Sequence, residues 1–558
     1  MTAIDDRKSV AHACAAHIGF AGARDLFPGI GDPQRRAKFG EELTRQVTDK
    51  LKQLHAHPRL SLHEGHFFVG VMQIGSGGEG ILADACDSSG IALRVLLPQA
   101  RDEFLAARSP RAPFDEDFSP AQREKTLQRL QRASVLQERV ASVASERSTR
   151  FAETAAEVLR LADIALILQP KHRDGLGKPG RTNEFAEHAL RSGKPLYALT
   201  FWIDETQKLH VYDELRYPRD LTWQPPRLPA VLPAPALTLD DMAQRIATEC
   251  SALAHACSRQ CTRASEAVVR RLIALIAIGT VSLALVSVFR NTVTGSAALL
   301  LPLAAALLLV PGVIALRRMF SASASATAAV RQRWTALHLA AEIARSTLAF
   351  APQTVNGDAA HPATAPQPHD FGFLFAAPLP DDARVLAQTL AVAHLRRSRG
   401  ARRLPWQEFR DRYLRERLGQ DATGELGAYR DKLARVRQHV GVVGWQLAAL
   451  GLFAASAVAA VLIVPVPAIH GAGRIATAVA ALAMLLPVSA LAFHAQRCLF
   501  KHRLRELACA DLLGRLQQLS QRLQRATGEA DFVAAQAETE TRLLAATLDW
   551  YRWRRFDS

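Results

Sequence analysis

Cysteine is sparse in this chain of 558 residues: Cys14, Cys86, Cys250, Cys257, Cys261, Cys498 and Cys509 are all it has, and no two form a C-x-x-C pair. So few, so widely spaced, exclude a disulfide scaffold and suit reduced, cytosol-facing thiols. Metal-binding spacing is missing too, because the 18 histidines are scattered and no His-x-x-x-His or Cys/His pair has a third ligand nearby. No metal site is expected. The first residues lack a signal peptide, since Arg7 and Lys8 are offset by Asp5 and Asp6 and the AHACAAHIGF that follows is short and interrupted by histidine. Neither G-x-x-x-x-G-K-[ST] nor a clean G-x-G-x-x-G is present, so neither a P-loop NTPase nor an ordinary dinucleotide fold follows. The most informative lack is local: four long stretches contain no Asp, Glu, Lys, Arg or His.

Those stretches are 272–289 (LIALIAIGTVSLALVSVF), 297–316 (AALLLPLAAALLLVPGVIAL), 442–469 (VVGWQLAALGLFAASAVAAVLIVPVPAI) and 475–493 (IATAVAALAMLLPVSALAF). Each reaches about the 18–20 apolar residues that cross a bilayer core. Joined in pairs through 290–296 and 470–474, they read as two transmembrane hairpins, hidden behind a mean hydropathy of only +0.01. A buried hairpin in a large soluble protein is the competing reading for one block, but four in two tight pairs favour the membrane. The outer flanks carry Arg270, Arg271, Arg317, Arg318, Lys432, Arg435, Arg437, Arg497, Lys501, Arg503 and Arg505, whereas the turns carry only Arg290 and Arg474. By the positive-inside rule both termini then face the cytoplasm, a multi-pass arrangement. Charge-free spans argue against ion-coupled transport, which places ionisable groups at mid-membrane. Gly451, Ala455 and Ala459 form a small-xxx-small row, read either as a helix contact or as a chance product of alanine-rich sequence.

What the chain has in excess is positive charge, 69 Lys and Arg against 53 Asp and Glu, a net +16. Such a balance suits an anionic partner, whether nucleotide, nucleic acid or lipid headgroup. The basic runs near 396–403 read as a solvated or headgroup-facing side rather than a nucleic-acid site. At 558 residues the length allows several domains. The expected organisation is an α/β domain over 1–230, a helix with the first hairpin and a following helix over 231–351, a flexible linker over 352–370 (PQTVNGDAAHPATAPQPHD), and helices with the second hairpin over 371–558.

Within 1–230, short apolar runs alternate with helical spacing, the pattern of a Rossmann-like parallel sheet. Strands are expected near 17–20, 67–72, 93–97, 164–168 and 196–200, and helices near 39–54, 80–88, 121–140, 147–161 and 182–192. Ligands of such sheets sit beyond the carboxyl ends of the strands. After the first strand, Gly22 permits close backbone approach and Arg24 can meet a phosphate. After the second come Gly75, Ser76, Gly77, Gly78, Glu79 and Gly80, leading into a helix whose N-terminal N–H groups can cradle an anion; the same turn also reads as purely structural. After the fourth, QPKHRDGLGKPGRTNE offers Lys178, Gly180 and Arg181 as donors, Thr182 as an N-cap and Glu184 for a ribose hydroxyl, or else a solvated basic loop.

Taken together, IGFAGARDL, GSGGEGILADACDSSGIALRVLLPQARDEF, the FDEDF at 114–118, LRLADIALILQP and GKPGRTNEFAEHALRSGKPLYAL resemble the SLOG superfamily. These are Rossmann-like nucleotide-binding domains related to DprA and to the LOG phosphoribohydrolases. The resemblance runs over 17–202. It keeps Gly22 and Arg24 of the T-G-H-R-type turn, but where LOG enzymes place a catalytic glutamate three residues after the threonine this chain has Phe185, with Glu184 one residue early. The resemblance therefore implies nucleotide binding without implying hydrolysis, and no catalytic residue or further cofactor is assigned. Around the apolar blocks, RW at 333–334, AEIARS at 341–346, YLRER at 413–417 and YRDKLA at 429–434 resemble the SLATT family, whose membrane hairpins are flanked by cytoplasmic helices. The paired resemblance implies a homo-oligomeric membrane effector of bacterial antiviral or conflict defence, driven by a nucleotide signal. A membrane-tethered nucleotide or nucleoside hydrolase using Glu79 or Glu184, and a non-catalytic membrane scaffold, are the alternatives.

Overall fold

Runs such as HFFVGVM, ALRVLL and IALILQP are apolar at nearly every position, as strands covered on both faces must be. A computed structural model places them side by side in one seven-stranded sheet. The structure describes residues 13–105, 120–171, 181–232, 241–261, 328–350, 379–398, 405–445 and 500–556, except positions 25, 28–29, 61, 63–65, 76, 133, 143, 145, 219–222, 422–423, 439, 443 and 501–502. The blocks 272–289, 297–316 and 475–493, all but the first residues of 442–469, and the linker 352–370 lie outside the described residues. Among the described residues no helix is long and apolar enough to cross a membrane.

The chain divides into two units, 1–247 with 343–404, and 248–342 with 405–558. In the first, β1 (Cys14–Gly22), β2 (His66–Met72), β3 (Ala92–Leu97), β4 (Val135–Val140), β5 (Ile164–Pro170), β6 (Leu196–Ile203) and β7 (Leu209–Arg216) lie in the order β4-β3-β2-β1-β5-β6-β7. All neighbours are parallel except β6 and β7. Two differences from the sequence expectation bear on the sheet. The helix expected over 121–140 stops early, as α4 (Pro120–Gln131), and its last residues are β4. Its VLQERV is a half-buried edge strand whose Glu138 pairs with Arg101 and whose Arg139 pairs with Glu157, so charge hides its alternation. The strand β7 was not expected at all. Its LHVYDELR buries only Leu209 and Leu215.

One sheet face packs on α1 (Pro33–Leu54) and α2 (Gly78–Ser88): Ala16, Ile18 and Phe20 of β1 meet a cluster that includes Leu43, Val47 and Leu82. Asp32 caps α1 by accepting from the Gln34 N–H at 3.0 Å. Of α3 (Arg101–Leu105), α4, α5 (Arg147–Leu161) and α6 (Arg181–Arg191), α5 and α6 follow β4 and β5 in the alternation of a doubly wound sheet. The opposite face also takes a helix from far along the chain, Asp381–Ser398. Its Val392 packs on Ala15 and Val69, its Thr389 hydroxyl accepts from the Ala15 N–H at 3.1 Å, and the Arg396 guanidinium lies 4.8 Å from the Phe67 ring centroid. Asp381 and Asp382 at its start and Arg396 near its end complement the helix dipole.

The second unit is helical, over 248–261, 328–342, Trp406–Glu416, 425–438, 503–525 and Glu529–Phe556. Its interior holds a charge. Buried Arg417 donates from Nη1 to Glu425 at 2.6 Å, from Nη2 to Glu342, and from Nε and Nη2 to the two oxygens of Glu540 at 3.0 and 2.9 Å. The Tyr413 hydroxyl donates to Glu540 at 2.8 Å. One guanidinium thus joins the helices that adjoin both pairs of apolar blocks.

Candidate functional site

The sheet order reverses at β1: the chain steps outward through β2, β3 and β4, then returns to the other side of β1 with β5. Beyond the carboxyl ends of β1 and β5 the flanking connections part in opposite directions, which opens the crevice where open α/β sheets take ligands. Gly22 ends β1, and the Ala23 N–H extends the pairing by donating to the Leu168 carbonyl at 2.9 Å. The Gly78 N–H donates to the Ala23 carbonyl at 2.8 Å, fastening the start of α2 over the end of β1. A Cβ on Gly22 would lie under 3.0 Å from the backbone of Gly78 and Glu79, and one on Gly77 under 3.0 Å from the carbonyls of Ala23 and Arg24. These glycines are therefore required by the contact of two backbones.

That contact changes how the glycine turn is used. Its Gly78 N–H points inward to Ala23 and the Gly80 N–H closes onto the Gly77 carbonyl at 3.0 Å, so neither serves an outside anion. The Glu79 carboxylate folds back over Gly75, placing negative charge in the first turn of α2 where the dipole favours it. What faces outward at this edge is side chain: exposed Arg24 and half-buried Glu79, with half-buried Thr182 and exposed Glu184 at the start of α6, which follows β5. The structure brings Gly22, Arg24, Gly75, Gly77, Gly78, Glu79 and Gly80 together at the ends of β1 and β2. Ser76, Lys178 and Gly180 lie outside the described residues, as does the side chain of Arg181.

Behind the turn, Asp84 of α2 receives both Arg129, from Nε at 3.0 Å and Nη2 at 2.6 Å, and Arg132 at 2.6 Å. Burial alone would raise the Asp84 pKa, but the two guanidiniums outweigh it and hold the carboxyl below its usual range. A Cβ on Gly80 would run into the Arg129 guanidinium, so this glycine leaves room for the clamp that fixes α2.

Sequence reasoning missed Lys171 and Trp202. Lys171 follows β5 directly, its N–H donating to the Phe201 carbonyl at 2.7 Å and its Nζ lying 4.9 Å from the Trp202 ring centroid. Trp202 stacks in turn on His210, which shares a hydrogen bond of 2.9 Å with Asp204. Register carried the only signal: a residue just past a strand end belongs to the ligand edge, and Lys171 stands one position after β5.

Chemically, this edge offers cations at Arg24 and Lys171, a hydroxyl at Thr182 and carboxylates at Glu79 and Glu184, a set that suits phosphate and ribose groups. Activated thiols are absent from it. Cys14 is pushed up to about 12 by burial, and Cys86 higher still for the same reason, so neither is a thiolate near neutrality. Among the described residues no cluster of His, Cys, Asp and Glu is placed to hold a metal ion, and the described cysteines are all free. No family model, curated protein or solved structure matches the chain.

Proposed function

We propose that the chain is a nucleotide-sensing membrane effector. Its α/β unit binds a nucleotide-derived signal at the β1/β5 edge, and the bound state controls how the four charge-free blocks assemble in a bacterial inner membrane. The observation that carries this reading is the strand reversal at β1, which sets Arg24 and the start of α6 at the one edge of such a sheet where ligands bind. The resemblance to SLOG and SLATT proteins supports the same reading, including its place in antiviral or conflict defence and its homo-oligomeric state. Arg24 and Lys171 take the phosphates, with Lys178 and Arg181 as further donors, while Thr182 and Glu184 hold the sugar. Gly22, Gly77 and Gly78 set the approach of the two backbones. A near-complete switch requires the ligand to favour one state by about 5.5 kcal/mol.

The packing of Gly22, Gly77 and Gly78 on backbone favours one rival, a membrane scaffold whose glycine turns are only structural. Calorimetry on the full chain in detergent, with a panel of cyclic and linear nucleotides and product analysis of the same samples, separates the readings. Binding without turnover, weakened roughly tenfold to a hundredfold by Arg24→Ala as a charge-assisted hydrogen bond is lost, is the expected result. Turnover would make the chain an enzyme, and no binding across the panel would leave the scaffold.

A further inference from the structure

Large apolar side chains that stand exposed are few among the described residues: Val140, Tyr212, Val442, Trp445, Phe500 and Leu507. Four of these six belong to two helical stretches of the second unit, ending at 445 and starting at 500. Trp445 is 79% and Phe500 65% exposed, values far outside what a large aromatic residue normally keeps in water. The two stretches run antiparallel side by side. Arg437 Nε donates to Glu506 at 3.0 Å, while Lys432, five positions earlier, lies near Cys509, three positions later. From that ion pair the chain continues eight positions to Trp445 and, on the other stretch, runs back six to Phe500.

Charge is layered beneath them. Over 432–445 and 500–507 the ionisable residues are Lys432, Arg435, Arg437, Lys501, Arg503 and Arg505, with Glu506 as the one acid apart from histidine. Arg435, Arg437 and Arg503 are exposed. Exposed aromatic rings with exposed arginines set back from them, Arg503 by three positions from Phe500 and Arg437 and Arg435 by eight and ten from Trp445, suit a membrane surface seen from the water, headgroup phosphates outside and acyl boundary within. Beyond Trp445 the sequence runs charge-free to position 469, whereas His494 and Arg497 stand between the charge-free block 475–493 and Phe500.

We propose that this end of the second unit is a docking collar for anionic phospholipid, with Trp445 and Phe500 at the acyl boundary and Arg435, Arg437 and Arg503 on headgroup phosphates. The inference rests on the membrane reading above and deepens it: the partner is a negatively charged leaflet, and the collar sets the depth at which the second apolar pair sits.

The test uses the full chain reconstituted in vesicles of phosphatidylcholine alone or mixed with phosphatidylglycerol. Flotation gives partitioning, alkaline extraction gives insertion, and quenching by brominated lipid, taken as the difference between the chain and Trp445→Phe, reports the depth of that ring. The collar predicts partitioning to the anionic vesicles at least tenfold stronger, reduced by about fivefold for each of Arg435→Gln and Arg503→Gln and unchanged for either variant on neutral vesicles. It also predicts quenching of Trp445 by lipid brominated near the headgroup end of the chain. Equal partitioning to both vesicles, or an unquenched Trp445, overturns the collar while resistance to alkaline extraction leaves the membrane reading standing. Complete extraction from both vesicles overturns the membrane reading itself. A change of mass in detergent on Trp445→Ala, with partitioning unaltered, would assign the surface to a second copy of the chain and likewise overturn the collar.

Discussion

His17 sits at the middle of β1 with no exposure, its ring 3.7 Å from Asp163, whose carboxylate accepts the His17 N–H at 2.8 Å. Burial drives its pKa below the usual value, Asp163 opposes the shift, and Arg94 and Lys194 reinforce it. The folded chain therefore holds His17 neutral, while the unfolded chain takes up the proton first as pH falls through about 6.5. Stability is full above that pH and is lost below it, by up to about 1.4 kcal/mol per pH unit. The opening free energy of the β1 amides, taken from hydrogen exchange after division by the intrinsic rate at each pH, should fall between about pH 7 and pH 5.5, and His17→Leu should flatten that dependence. Gly22 and Arg24, two positions apart, are expected to fail differently. Gly22→Ala forces a methyl into the backbone of Gly78 and Glu79 and should cost about 1–3 kcal/mol of stability. Arg24→Ala, on an exposed side chain, should lower the melting temperature less than Gly22→Ala does and weaken ligand binding. The sequence could nominate both residues for one site, but it could not separate a glycine that packs from an arginine that reaches out, since that distinction lies in the approach of β1 to α2.

Between elements, the largest single commitment is the buried Arg417 cluster, which ties the helix bearing Glu342 to those bearing Glu425 and Glu540. Removing the guanidinium strands three carboxylates in a low-dielectric interior, so Arg417→Leu should destabilise the second unit by about 3–5 kcal/mol, as chemical denaturation would show. Arg417→Lys should recover little, because an ammonium cannot supply a fork to Glu540 and reach Glu342 and Glu425 together. No local pattern announces this cluster; its members are up to 198 positions apart, and Glu, Arg and Tyr in helical spacing read as surface. Strands show the same rule from the other side. Those covered on both faces, β1, β2, β3, β5 and β6, were legible as apolar runs, whereas β4 and β7 at the sheet edges carry charge that imitates a helix or a loop.

For the whole molecule, the consequence lies in how the first unit is assembled. The helix Asp381–Ser398 comes after the first apolar pair and the 352–370 linker in sequence, yet it covers Ala15, Val69 and Phe67 of the sheet. The α/β unit is thus closed by a segment that the chain reaches only after passing the blocks 272–289 and 297–316. A fragment ending at residue 230 should expose that sheet face, aggregate and melt lower than a fusion of 1–230 to 379–398, a comparison that differential scanning calorimetry makes directly. No helix at 381–398 stands out in the sequence, because a helix buried on nearly every side carries no polar face to mark its period. The same threading brings segments from both sides of the first apolar pair into one α/β unit. The most direct test is dye leakage from vesicles of mixed phosphatidylcholine and phosphatidylglycerol carrying the full chain, read while nucleotides are added. The account predicts leakage that begins on addition of one class of nucleotide and shifts to at least tenfold higher concentration in Arg24→Ala; leakage that is indifferent to every bound nucleotide would contradict it.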